Sequence, residues 1–339
     1  MSKSTNVKIL KDQVLDVSTN DIPFTEFDST SEFKIDELIN KLKIKIWKVS
    51  PLEMEFDLIG VDASIANALR RILISEIPTM AIEKVYMLNN TGVIQDEVLS
   101  QRFGLVPIKA DPREFSWKED NEDPTDQNTI VFKLNIGCKF NPDAGKDEKD
   151  PKVKYINSSV YSSHLKWDPK GDQAERFASS PIKPVHDDIL LAKLRPGQEI
   201  VCELHCQKGI GRDHAKFSPV ATASYRLLPD IIITKEITGD DAYKFQKCFP
   251  EGVVDVVNEN GKMVAKVVNP RKDTVSREVL RHEEFDGKVK LERVRDHFIF
   301  NIESTGAISP PELLHMAIEI LASKCQTLKH SISSLLEKK

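Results

Sequence analysis

The sequence predicts an α+β protein built mainly on antiparallel sheet, and three observations predict it. Short segments of alternating apolar and polar residues recur along the chain, separated by Pro, Gly, Asn and Asp clusters. Two stretches, at 64–76 and 310–336, instead repeat their apolar residues at helical spacing. The length, 339 residues, suits roughly two domains of about 150 residues, each able to bury a core without metal or disulfide staples.

Composition narrows the function classes. Hydrophobic content of 40% and charged content of 30% are those of ordinary globular chains. The 48 basic and 53 acidic residues leave a net charge of −5, which gives no global attraction to nucleic acid or an anionic membrane. No apolar run reaches the roughly 18 residues of a membrane span. Met1 to Asp12 lacks the apolar core of a signal peptide. The five cysteines, Cys138, Cys202, Cys206, Cys248 and Cys325, are scattered and odd in number, as expected of free thiols in a reducing compartment.

Residues 1–40 show no sustained period and read as a flexible N-terminal arm. Lys41 to Lys48 alternates, with Leu42, Ile44 and Ile46 on one face, and predicts a half-buried strand paired with Glu53 to Ile59. Asp62 or Ser64 caps a helix carrying Ile65, Ala68, Leu69, Ile72 and Leu73 as one stripe, with Arg70 and Arg71 outside it. Pro78 ends that helix. Ala81 to Leu88 is a strand. Asp96 is expected to cap a short helix, and Gly104 to supply its left-handed exit. Residues 111–128 and 141–154 read as charged loops. Strands are expected at 129–138, 189–194, 199–206, 222–228 and 231–237, and a hairpin at 288–293 and 297–303. Ser309, Pro310 and Glu312 form a capping box for the last helix.

That last helix gives the clearest pattern. Leu314, Ile318, Leu321, Cys325, Leu328, Ile332 and Leu335 step by 4, 3, 4, 3, 4, 3, a heptad seam of about three repeats. Such a seam packs either within its own domain or on another chain.

The chemical motifs are weak. There is no phosphate-loop, dinucleotide or His-Glu-x-x-His pattern. Cys202, His205, Cys206 and His214 are the best metal candidates, but a strand over 199–206 sends Cys202 and Cys206 to one face and His205 to the other. Asp213, His214 and Ser218 lie too close in sequence to form a triad. Arg70-Arg71 reads either as a solvated pair or as a docking contact. No metal or cofactor is expected.

Several runs carry a resemblance. Asn67 to Leu73, Glu76-Ile77-Pro78, Asp96 to Leu99, Arg102 to Pro107, His214 to Val220 and Glu303 to Gly306 resemble, in order, the alpha-type subunits of cellular RNA polymerases. Asp188 to Glu199 and Arg271 to Glu278 resemble most the branch shared by eukaryotic polymerases I and III. No cysteine lies between Met1 and Gly137, so the zinc cluster of the polymerase II branch is missing. Residues 241–282 resemble a degenerate ferredoxin-like segment that keeps Cys248 but lacks the other ligands.

The resemblance implies a discontinuous dimerisation domain, 41–77 with 285–339, interrupted by a mainly β insert domain at 78–284. It implies a non-catalytic assembly subunit of polymerases I and III in the nucleus, including the nucleolus, serving synthesis of ribosomal RNA precursors, 5S rRNA and tRNA. Its partners would be a smaller alpha-like subunit, the two largest subunits and other small subunits, with no membrane and little or no nucleic-acid contact. Ile65, Ala68, Leu69, Ile72, Leu73, Leu314, Ile318, Leu321, Cys325, Leu328 and Ile332 would form the heterodimer interface. Arg70, Arg71, His214 and Lys216 would face a large subunit. On this basis, aspartate at Leu69 and Leu321 together should abolish pairing. The alternative is a nucleic-acid-binding module.

Overall fold

The computed structural model describes residues 6–17, 35–119, 121–145, 149–259 and 261–337. In chain order these form a hairpin, β1 (Val7–Ile9) and β2 (Val14–Leu15), and a short helix α1 (Ile35–Lys41). Then come β3 (Lys43–Val49), β4 (Glu53–Ile59), α2 (Ala63–Ser75), β5 (Pro78–Asn90), α3 (Asp96–Gly104), β6 (Ile108–Lys109) and β7 (Ile130–Gly137). A run of small elements follows: β8 (Lys139–Phe140), α4 (Pro151–Lys154), β9 (Tyr155–Ile156), β10 (Ser159–Tyr161), β11 (Lys166–Trp167), α5 (Gln173–Arg176) and β12 (Lys183–Pro184). β13 (Leu190–Lys193), β14 (Glu199–Ile210), β15 (Val220–Ile233), α6 (Asp240–Lys247), β16 (Val254–Glu259), β17 (Lys262–Val267), β18 (Val289–Ser304) and α7 (Pro310–Glu337) complete the fold.

The chain gathers into two compact units, residues up to 47 with 55–67 and 224–301, and residues 48–54 with 68–223 and 302–339. These divisions differ from the expected boundaries after 77 and 284. In the first unit, Phe245, Val254, Val279 and Phe285 share one core with Ile231 and Leu291, so the 241–282 segment packs with β15 and β18. In the second, Arg113 Nη2 meets Glu312 at 2.5 Å, which ties the start of α7 to the loop after β6.

The first unit is centred on a six-stranded sheet, in the order β2-β1-β18-β4-β3 with β15 also paired to β18. Here the expected hairpin at 288–303 is corrected: the segment is one 16-residue strand. Between Arg293 and His297 there is no Gly, Pro or Asn to turn the chain. The expected flexible arm is corrected in part, because Val7 and Ile9 pair with Arg293 and Leu291 of β18 and are buried. Residues 1–5 and 18–34 lie outside the described residues. β3 pairs with β4 as expected, but its apolar face is not half-buried: Leu42, Ile44 and Ile46 are 43, 49 and 57% exposed at the sheet edge.

The second unit holds an antiparallel sheet, β11-β7-β14-β5, whose inner face carries Ile130, Phe132, Leu134, Ile136, Cys202, Leu204 and Cys206. Leu99 and Phe103 of α3 pack into this core. The N-cap of α3 is Gln95, and Asp96 opens the helix instead, where its charge still suits the positive N-terminal end. The exit residue Leu105 is right-handed, so Gly104 is not a left-handed cap. Its role is close approach: a Cβ there would sit 3.3 Å from the Ile82 carbonyl oxygen and 3.5 Å from Lys216 Cδ. Asp62 caps α2, its Oδ1 accepting the Ser64 amide at 2.8 Å.

Candidate protein-interaction site

α7 contains 28 residues, about 42 Å at roughly 1.5 Å per residue. Its first turns are packed: Leu313, Leu314, Met316 and Ala317 are buried. Beyond them the seam opens. Ile318, Leu328, Ile332 and Leu335 are 45, 63, 49 and 67% exposed, Leu321 is half-buried, and every residue from 322 to 333 is exposed, Cys325 included. Lys324 reaches Glu76 at 2.5 Å, a surface pair of small energetic weight.

The stripe on α2 is different. Leu69, Ile72 and Leu73 are already buried within the chain, and only Ile65 and Ala68 stay half-exposed. The expected interface on this helix is therefore corrected: Leu69, Ile72 and Leu73 are core residues. The apolar period gave the stripe, but period alone does not tell which neighbour covers it.

The His214 to Pro219 loop joins separate parts of the second unit. Thr79 Oγ1 donates to the Phe217 carbonyl at 2.7 Å, and Thr305 donates both its amide (2.9 Å) and its Oγ1 (3.0 Å) to the Pro219 carbonyl. Lys216 Nζ donates to the Ile82 carbonyl at 2.9 Å and pairs with Glu83 at 2.5 Å, its side chain only 13% exposed. Lys216 as an outward contact is thus corrected, because its charge is used inside the chain. His214 is exposed, its Nδ1 accepting the Lys216 amide at 3.1 Å, beside a hollow of about 360 Å³ that also touches Glu83, Ser100 and Gln101. Arg71 is exposed; Arg70 is half-buried and partnered within the chain. Lys216→Met should lower the unfolding free energy of the isolated chain by about 1–3 kcal/mol, because it leaves a buried carbonyl without its donor. Unchanged urea unfolding would count against that role.

The candidate metal residues do not converge. Cys202 and Cys206 lie in the core, while His205 faces the other way, its Nε2 2.8 Å from Glu203 and its ring 4.8 Å from that of Tyr86. Burial pushes the Cys202 thiol up to about 12 and raises that of Cys206 further, which holds both protonated at neutral pH. Among the described residues no group of three or more His, Cys, Asp or Glu is arranged to hold a metal ion.

One polar cluster escaped the sequence reading. Asp57 on β4 is 3% exposed. It accepts from Arg271 Nη1 and from Trp47 Nε1 at 2.8 Å, and His297 Nε2 lies 3.1 Å away. Arg271 Nη2 also reaches Glu55 at 2.5 Å, and the guanidinium sits 4.7 Å from the centre of the Trp47 ring. Arg226 on β15 holds the 270–273 turn, donating to the carbonyls of Arg271 (2.6 Å) and Asp273 (3.2 Å). The alternation of Glu55 and Asp57 with Met54, Phe56 and Leu58 marked a sheet face, but nothing local pointed to Arg271.

Residues 55–325 match the RNA polymerase Rpb3/Rpb11 dimerisation domain. A Saccharomyces cerevisiae protein named DNA-directed RNA polymerases I and III subunit RPAC1 is 51% identical over 331 residues, covering 96% of this chain and 98% of the relative. The Homo sapiens protein of the same name is 48% identical over 314 residues, covering 92% and 91%. The Dictyostelium discoideum protein named DNA-directed RNA polymerase II subunit rpb3 is 30% identical over 300 residues, covering 86% and 94%.

Proposed function

Because the chain belongs to the RNA polymerase Rpb3/Rpb11 dimerisation-domain family, we propose that the open seam of α7 is where it joins a smaller alpha-like subunit. It is a structural, non-catalytic subunit of DNA-directed RNA polymerases I and III, it acts in the nucleus, and it works in association with other subunits of the polymerase complex. The observation that carries the heterodimer reading is the tail of α7, exposed on all sides from 322 to 333 yet lined by Leu328 and Ile332. A lone helix of that length is marginal in water, and an apolar seam on it is stabilised by burial against a second helix. Each Leu or Ile covered contributes about 1.5–3 kcal/mol.

In this reading 41–77 and 285–339 act together as a discontinuous dimerisation domain, with 78–284 as its insert. The heterodimer is the platform on which the two largest subunits and the other small subunits assemble. Arg71 and His214, both exposed, are offered to a large subunit. The complex serves synthesis of ribosomal RNA precursors in the nucleolus and of 5S rRNA and tRNA.

Cys325 tests the interface, since it lies within the open seam while the other four thiols are buried. In the isolated chain it should react quickly with a maleimide. In the complex co-expressed with the small alpha-like subunit, labelling should slow at least about tenfold, the rate following access to the thiol. Equal rates with and without the partner would remove α7 from the interface.

A further inference from the structure

β3 is the last strand of the first unit's sheet and pairs on one side only, with β4. An edge strand leaves alternate main-chain N–H and C=O groups without a ladder partner. All seven residues of β3 are exposed, so no described residue covers this edge. The strand holds no Pro or Gly that would blunt it. Its side chains alternate: Ile44 and Ile46 stand in one row, continued by Leu42 just before the strand, and Lys43 and Lys45 stand in the other.

The charge on this edge is one-sided. No residue of β3 is acidic. The acids of β4 are taken, since Glu53 pairs with Lys48 and both Glu55 and Asp57 meet Arg271. Asp36 and Glu37 lie before the strand, on α1, which itself ends at Lys41; across 35–49 four lysines stand against these two acids. Among the described residues neither Lys43 nor Lys45 has a carboxylate partner. Lys45 Nζ lies 4.0 Å from the centre of the Trp47 ring, a contact that leaves its charge uncompensated.

We propose that β3 accepts an extended segment of another protein as a further strand, and that this segment alternates acidic with aliphatic residues. The incoming main chain would fill the free N–H and C=O groups. Directly opposite side chains lie about 4.5–5.5 Å apart. Carboxylates would therefore stand against Lys43 and Lys45 on one face, and aliphatic side chains against Ile44 and Ile46 on the other. The same chemistry disfavours a second copy of this chain, because the antiparallel register that joins the isoleucine rows also brings the lysine rows of the two copies together. A nucleic acid would meet the lysines but leave the isoleucines and the main-chain groups unused. The proposal does not depend on the α7 reading.

The test uses the full chain and a fluorescent peptide alternating Glu with Val and Ile, read by anisotropy at low and high salt. The comparators are a peptide of the same composition with its acids grouped, one with Lys in place of Glu, and a thymidine homopolymer. The alternating acidic peptide should bind best, and more weakly at high salt. Methylating its backbone nitrogens at every second residue should abolish binding for one alternate set and spare it for the other, because only one edge of the peptide pairs. Lys43→Glu with Lys45→Glu should weaken binding at least about tenfold. The double change to arginine should retain it, and far-UV circular dichroism should show both variants folded. The proposal fails if the wild-type chain does not bind the alternating peptide, binds the grouped peptide equally, or prefers the thymidine homopolymer. It fails equally if both methylated sets bind, if charge reversal leaves binding unchanged, or if the chain pairs with itself through β3 as a concentration-dependent dimer that the peptide does not dissolve.

Discussion

Replacing Ile318, Leu328 and Ile332 with aspartate is expected to abolish heterodimer formation while leaving the fold of the isolated chain intact. All three are open to solvent, at 45, 63 and 49%, so a charge at these positions can stay hydrated in the isolated chain. In the complex the same positions would be covered. Losing three buried aliphatic side chains removes roughly 5–9 kcal/mol, and each carboxylate brought into an apolar seam adds a desolvation cost. Together these should weaken pairing by at least about a thousandfold at the exchange rate of roughly 1.4 kcal/mol per factor of ten. Native mass measurement of the co-expressed pair reads the first half of the result, and thermal melting of the chain alone reads the second. Leu69→Asp is the informative contrast. Leu69 is 7% exposed in the chain by itself, so aspartate there should unfold it whether or not a partner exists. A triple variant that still co-purifies with the small subunit at normal yield would sink the α7 interface.

The contrast between Leu69 and Leu328 also marks how much the sequence could say. Both fall on helical apolar stripes, and the stripe correctly places each residue on a helix face. What covers the face depends on packing between segments far apart in sequence. The exposed apolar tail of α7 was legible as a heptad seam, and that seam runs longer than the chain's own core covers. The merging of the two expected hairpin strands into β18 was not, because a polar stretch from Arg293 to His297 can be read as a turn or as the exposed middle of a long strand. Turn chemistry was a weak signal there: the stretch holds no Gly, Pro or Asn, and Asp296 is its single turn-favouring residue. Lys216 shows the opposite failure. A lysine in a loop reads as a surface charge, and only the fold brings its amine to the Ile82 carbonyl, 134 positions away. Resemblance to a family supplied the order of the motifs. The structure adds that the loop at 214–219 serves as a junction within its own unit, bonded to both β5 and the turn at Thr305.

A large loss of stability is also expected at Asp57. Removing it with Asp57→Ala should cost the unit that contains it about 3–5 kcal/mol, the range for breaking one side of a buried ion pair. The cost comes from Arg271, whose side chain is only 12% exposed and would keep its charge with Glu55 as its remaining carboxylate partner. Asp57→Leu combined with Arg271→Met should recover much of that loss, because it removes both charges and leaves apolar volume. The pH dependence follows from the same contacts. Burial by itself pushes the Asp57 carboxyl up, but the hydrogen bonds from Arg271 and Trp47, the nearby His297 ring and the Arg271 charge together outweigh it, so the group ends below the usual carboxylate value. A carboxyl more acidic in the folded than in the unfolded chain binds fewer protons when folded. Its contribution is therefore complete above the unfolded pKa of about 3.9 and is lost as pH falls through the lower folded value. Urea unfolding followed by Trp fluorescence should show the wild-type chain losing stability below about pH 4, and Asp57→Asn should flatten that part of the profile. Trp47 reports on the same site, since its indole donates to Asp57. If Asp57→Ala unfolds at the wild-type urea midpoint, the cluster is a surface feature without weight, and the hold of Arg271 on β4 is not what fixes the 270–273 turn.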